Sequence, residues 1–311
     1  MKLGGYLLRR VVAGLLTVLG VASACFAVLH ALPGDPTDAI LGETATAADR
    51  LQLRHALRLD ASLATQFVEF IRDLAYRGMG HSFRAPDRTV FSSIAEVWTN
   101  TLALALTAAL IAWAIAIPLA LLASTRPRTR TDTIVGVGSI LGVAIPSLWL
   151  GPMLILLFCV AIPVLPFPGP DAHGPATVIL PALSLGLGMA GILTRMGRAA
   201  LRDVLREQYV QAARARGLPE WRVLTTHALR TAMVPLLTAG GAQLTALLGG
   251  AIVTEKIFDR PGLGTLLLQA LSTRDIPIVL GCVVVIALTA VLVQLLVDVA
   301  YVAVDPRIRL G

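Results

Sequence analysis

"TLALALTAALIAWAIAIPLALLA", residues 101–123, is a run of 23 residues with no charge. As a helix rising 1.5 Å per residue it is about 35 Å long, enough to cross a hydrocarbon core of about 30 Å. Lipid offers no partner to a free backbone N–H or C=O, so a stretch this apolar satisfies its own backbone as a helix. Outward from it, five more runs meet the same condition: 11–32, 133–160, 178–193, 234–253 and 278–302. The reading is an all-α membrane protein with six transmembrane helices. The fourth run is short and contains "LPALSLGLGMAG", and it is expected to continue through Arg195 and Arg198 into the interface.

Composition agrees: 56% of the 311 residues are hydrophobic and 14% charged. The net charge of +7 does not point to nucleic acid, because the arginines fall between apolar runs rather than along one stripe. Cys25, Cys159 and Cys282 lie inside apolar runs with no Cys-x-x-Cys or Cys/His spacing, so they read as small core residues. "VASAC", residues 21–25, has the outline of a lipoprotein cleavage site, but Ala22 stands where Leu is wanted and the run continues to Leu32. An uncleaved first span follows.

Orientation comes from the Lys and Arg bias. With the N-terminus inside, sixteen of the 26 basic residues fall on the cytoplasmic side, including Lys2, Arg126, Arg128, Arg130, the cluster from Arg195 to Arg230, Arg307 and Arg309. Acidic residues reverse the bias, so both termini are expected in the cytoplasm.

Residues 33–98 then lie outside. Thr46 and Asp49 have capping-box spacing, and Leu63, Phe67, Phe70, Ile71 and Leu74 form the stripe of an amphipathic helix. That stripe either packs on the spans or the membrane surface, or offers a platform to an outside partner. "LPGDP", residues 32–36, marks a turn. Pro118, Pro146 and Pro181 are expected to break helical regularity, and "GSILG", residues 138–142, has the small-x-x-x-small spacing of close helix approach. Asp298 is an acid deep in an apolar run, near the cytoplasmic end of its span, where water or an inner arginine is within reach. Ser147, Ser184, Gln243, Thr245, Gln294 and Asp298 are the candidates to line a pathway, polar residues that otherwise bond between helices.

No His-Glu-x-x-His, Gly-x-Gly-Asp or Gly-x-x-x-x-Gly-Lys-Ser/Thr sequence occurs. The expectation is therefore no catalytic residue, no metal ligand and no cofactor-binding residue, with any ATP and Mg²⁺ held by a partner. Attention moves to the largest inner loop, 195–233, which carries "YVQAARARGLPEWRVLTTHALR" at 209–230. Ala212, Ala213 and Ala215 favour helix with a low profile, Gly217 permits a left-handed stop, and Pro219 is placed to open a second helix. Trp221, Leu224 and Ala228 recur at i, i+3 and i+7, as for one apolar face. Helix, bend, helix is the expected form. It either docks a partner or serves as a basic loop that fixes topology and meets anionic headgroups.

"QAARARG" followed by "HAL" resembles the cytoplasmic EAA loop of ABC importer permeases: Gln211 stands at the Glu position, Ala212, Ala213, Gly217 and Leu229 match, and His227 and Arg230 depart. With "LPGDP", "GMGHSF" at 78–83, "PSLWLGPMLILLF" at 146–158, "EKIFDRPGLG" at 255–264 and "LVDVAYVAVDPRIR" at 296–309, the whole chain is similar to the dipeptide/oligopeptide/nickel permease family, first-subunit type. The resemblance implies a type I ABC importer: a second permease subunit, cytoplasmic ATPases, an extracytoplasmic binding protein and a peptide substrate. It implies a first span and outer segment (1–95), a five-helix core (96–303) and a cytoplasmic tail (304–311). ATPase coupling would fall on Gln211, Ala212, Ala213, Arg216, Gly217, Leu218, Glu220, Trp221, His227 and Leu229. Nickel, haem or glutathione remain alternative substrates, and an autonomous secondary transporter, a channel or a non-transporting scaffold are the other classes.

Overall fold

The computed structural model describes residues 3–42, 45–169 and 174–304. Lys2, Asp305, Arg307, Arg309 and the expected tail beyond Val304 lie outside the described residues. In chain order the helices are α1 (Leu3–Ala31), α2 (Pro36–Leu41), α3 (Ala47–Ala56), α4 (Leu63–Tyr76), α5 (Val90–Thr125), α6 (Arg130–Ala144) and α7 (Ser147–Ile155). They continue as α8 (Ala176–Val204), α9 (Gln208–Ala215), α10 (Glu220–Arg222), α11 (Leu229–Ile257), α12 (Leu263–Ser272) and α13 (Ile276–Val304). Two π-helical segments, Leu156–Ala161 and Val223–Ala228, extend α7 and join α10 to α11. No strand occurs among the described residues beyond one isolated bridge between His81 and Thr89.

Among the described residues, five helical stretches are long and apolar enough to cross a membrane: Leu8–Ala31, Val90–Thr125, Ala176–Val204, Glu220–Ile257 and Ile276–Tyr301. The third expected span, 133–160, is not one straight helix. It is a pair, Arg130–Ala144 and Ser147–Ala161, bent by 98°. The cause is local: Pro146 disfavours helical geometry in the residue before it, and Ile145 is extended at φ −79° and ψ 116°. Pro118 and Pro181, also expected to break regularity, stay inside α5 and α8.

The chain divides into two compact units, one of residues 1–8, 102–260 and 292–311 and the other of residues 9–101 and 261–291. In the first, α8 is the centre, with α6 and α11 packed on it. Ala182, Leu185, Met189 and Leu193 of α8 form a buried core with Leu104, Ala108 and Ala112 of α5 and Leu236, Leu247 and Ala251 of α11. Helices in lipid gain little from hydrophobicity alone, so close backbone approach matters. A Cβ at Gly191 would stand 2.5 Å from the Ser139 carbonyl oxygen, and one at Gly142 would stand 3.1 Å from that of Leu187. Half of the "GSILG" expectation therefore holds: Gly142 meets α8, whereas Gly138 faces open space.

The second unit gathers most of α1, all of α2 to α4, the start of α5, α12 and the first half of α13. Val90, Ile94, Leu263, Ile278, Val279 and Cys282 are buried together. The capping box at Thr46 and Asp49 is present. The α4 stripe packs within the chain: Phe70 and Leu74 lie against Val18, Ala22 and Val284, and the Phe26 ring meets Phe67 edge-on at 5.3 Å and Phe70 stacked at 5.9 Å. Buried Asp275 ties in the "GMGHSF" segment, accepting from Ser82 Oγ at 2.5 Å and Phe83 N at 3.2 Å.

Candidate functional site: the bend between α9 and α11

Residues 195–233, the inner loop in which helix, bend, helix was expected at 209–230, are helical almost throughout. The chain leaves α8 after Val204, turns over three residues into α9, and bends once between Ala215 and Glu220. The bend is a Schellman motif, with the Leu218 N–H donating to Ala213 O at 3.4 Å and the Gly217 N–H to Arg214 O at 2.9 Å. Gly217 sits at φ +76°, the left-handed conformation that glycine adopts without a Cβ penalty. Pro219 stands one position earlier than expected: it is the N-cap, at φ −64° and ψ 142°, rather than the first helical residue. Arg214 brackets the bend, donating from Nε and Nη2 to the two Glu220 carboxylate oxygens at 3.1 and 2.6 Å. That paired carboxylate pushes the Arg214 pKa up.

The inner side is apolar. Val210, Ala213, Val223 and Ala228 are buried with Leu201 and Leu205 of the α8 end, with Ala232 of α11 and with Ala120 of α5, and Leu218, Leu224 and Leu229 pack around them. The expected face of Trp221, Leu224 and Ala228 is therefore redrawn. Residues 223–228 are π-helical, so Val223 and Ala228, five apart, share the buried side, while Trp221 is 62% exposed. The Arg222 guanidinium lies 5.3 Å from the Trp221 ring centroid. Of the expected coupling residues, Gln211, Ala212, Arg216, Gly217, Glu220 and Trp221 are exposed, Ala213 is buried, and Leu218, His227 and Leu229 are half-buried. Gln211 donates to Leu205 O at 3.3 Å, and the Tyr209 hydroxyl shares a 2.9 Å hydrogen bond with Thr231. The bend thus has a fixed interior and an exposed outer rim.

Sequence reasoning missed Asp132. It is 4% exposed at the first turn of α6, accepts from Arg128 N at 2.9 Å, and forms ion pairs with Arg198 Nε at 2.7 Å and Arg202 Nη2 at 2.5 Å. Arg202 also donates to Ala123 O, near the end of α5, at 3.5 Å. One carboxylate thereby holds together the beginning of α6 and the ends of α5 and α8. The only signal in the sequence was a pair of arginines four apart on one face of α8.

The pathway candidates are dispersed. Ser184 is buried and donates to Pro181 O of its own helix, and Thr245 does the same to Gly241 O. Ser147 and Gln243 are half-buried and Gln294 is exposed. Asp298 is 2% exposed, so the easy access to water expected for it is closed by its neighbours. A cavity of about 290 Å³ in this unit is apolar, lined by residues such as Trp113, Met189, Leu244 and Val297, and includes none of these candidates.

The described residues are helical with five or six candidate crossings, and known proteins define the class. Residues 116–310 match the model of the binding-protein-dependent transport system inner membrane component, and residues 3–105 match that of its N-terminal region. The chain belongs to this family: it is a multi-pass inner-membrane permease component of an ABC importer. Membership implies a partner ATPase and a binding protein. The glutathione transport system permease protein of Salmonella typhi is 37% identical over 306 residues, covering 98% of each chain. A Brucella abortus protein named as a peptide transport system permease is 36% identical over 309 residues, covering 97% of this chain and 98% of its own. The fold is shared with a methionine ABC transporter solved in inward-facing conformations, at TM-score 0.52 and 19% identity over 68% of this chain and 96% of that one.

Proposed function

We propose that this chain is one of two permease subunits that together pass short peptides, delivered by the binding protein, across the membrane. It contributes no catalytic residue. ATP and Mg²⁺ are held by the partner ATPases, and both termini of this chain face them in the cytoplasm. Residues 1–95 supply the first span and outer segment, 96–303 the translocating core and 304–311 the tail.

The observation that carries the reading is the bend at Gly217: preformed, exposed on its rim, and directly continuous with a 38-residue helical stretch, Glu220–Ile257. No flexible linker separates the docking rim from the span, so closure of the ATPases moves the helix itself. The apolar cluster under the bend draws the α8 and α5 ends along, and Asp132 couples α6 to the same motion. An outward-facing state is populated to the extent that the closed ATPases contact it more favourably. Peptide as cargo is supported by the relatives' names, and glutathione, itself a short peptide, is the second reading supported the same way. The test is uptake by proteoliposomes containing this chain, its companion permease, the ATPases and the binding protein. ATP-dependent uptake of labelled dipeptide is expected. Uptake of glutathione but not dipeptide would replace the cargo, and uptake by this subunit alone under an ion gradient would overturn the importer role.

A further inference from the structure

In the second unit a half-open cavity of about 630 Å³ lies where α1 ends, between the start of α4 and the turn from α12 to α13. Its lining is mainly aliphatic. Leu32, Leu63 and Leu271, which are 53%, 59% and 43% exposed, come from three different elements and converge on it. Leu29 and Val279 line it as well. Two guanidinium groups stand among these leucines. Arg54 Nη1 is 2.6 Å from Asp35 Oδ2, an ion pair that leaves no excess charge. Arg274 Nη2 donates to Pro33 O at 2.7 Å, its guanidinium lies flat against Gly34 where any Cβ would collide with it, and it makes no ion pair among the described residues. The cavity therefore presents one uncompensated positive charge, with most of its five N–H donors unspent, above an aliphatic wall.

The depth of this cavity follows from the chain. It opens at the last turn of an apolar helix that spans to Ala31, at the boundary between headgroup and acyl chain. Along α1, Val21, Ala24 and Val28 are exposed at i, i+3 and i+7, an aliphatic strip that leads to Leu32 at the mouth. A ligand that lies along this strip must be apolar over most of its length and anionic at one end.

We infer that the cavity is a binding site for an anionic phospholipid, with the acyl chain along α1 and between Leu32, Leu63 and Leu271, and the phosphate on Arg274. Arg54, already paired, orients the rim and adds no net attraction. A single net charge near a membrane surface gives a preference for an anionic over a zwitterionic lipid of about fivefold.

The test places a photoreactive p-benzoylphenylalanine at Leu63, whose exposure tolerates it, in the full chain reconstituted in vesicles of equal parts phosphatidylglycerol and phosphatidylcholine. Mass spectrometry of the cross-linked peptide is expected to show phosphatidylglycerol enriched about fivefold, with the ratio falling to one in Arg274→Gln and retained in Arg274→Lys. Equal labelling of the two lipids in the parent protein would mean ordinary surrounding lipid and overturn the site. Enrichment that survives Arg274→Gln would overturn the role of that residue. Cross-linking to the binding protein in its presence, in place of lipid, would make the cavity a protein contact. None of these outcomes depends on transport, so they leave the importer reading to its own experiment.

Discussion

Replacing Gly217 by Asp separates the shape of the bend from its partner. Gly217 is at φ +76°, and a Cβ built on it meets no atom within 4 Å. The substitution thus brings no collision inside this chain. Its internal cost is the left-handed penalty, about 1 kcal/mol for a residue with a Cβ and less for Asp, whose short polar side chain tolerates that region. A chain held by several buried clusters keeps its fold against so small a loss, and the variant is expected in the membrane at normal abundance and with a thermal midpoint within a few degrees of the parent. In a docked complex the position is different. A carboxylate held against an ATPase groove is desolvated without a partner, at a cost of about 2 kcal/mol or more, which reduces engagement at least thirtyfold. The assay is ATPase activity of the purified, reconstituted importer with and without loaded binding protein. Loss of stimulation with retained assembly is expected for Gly217→Asp, and partial loss for Gly217→Ala. Full stimulation in Gly217→Asp would refute docking at the bend.

Asp132→Ala leaves Arg198 and Arg202 facing an emptied, largely buried pocket. Removing one partner of such a cluster costs about 3 kcal/mol, lowered here because both arginines keep about a quarter of their side-chain exposure; a depressed thermal midpoint in detergent is expected, and an unchanged midpoint would show that Asp132 does not bind the helix ends. Gly191→Val drives a side chain into the Ser139 carbonyl and Val143, and overpacking of this kind costs about 1–3 kcal/mol. Poor accumulation is expected for that variant, against normal accumulation for Gly138→Val, where the space is open; equal yields would contradict the close packing of α6 on α8.

The spans were legible because lipid imposes one condition on every crossing segment, and residues 101–123 meet it without reference to anything else. Their ends were not. α5 begins at Val90, eleven residues before the apolar run, because Val90 and Ile94 are buried by Ile278 and Val279, which lie far along the chain. Pro146 signalled the break in the third crossing, yet only the backbone shows that Pro118 and Pro181 cause none. At the bend, Gly217 and Pro219 marked the turn to within one position, since both act on local dihedrals. The orientation of Trp221 was misread because a 3.6-residue template was laid over six residues that run as a π-helix. Asp132 was counted only as a charge. Its role rests on Arg198 and Arg202, some 66 to 70 residues later, and no local pattern records such a pairing.

The second unit is assembled from residues 9–101 and 261–291, with the whole stretch from Leu102 to Arg260 lying between them in chain order. During synthesis Val90 and Ile94 therefore emerge long before Leu263, Ile278 and Val279, the residues that bury them. At translation rates of about 5–20 residues per second, that interval lasts roughly ten to forty seconds. Over that time the α4 aromatics have only α1 to shelter them, through Phe26, and the contact with Val284 forms only when the last membrane helix arrives.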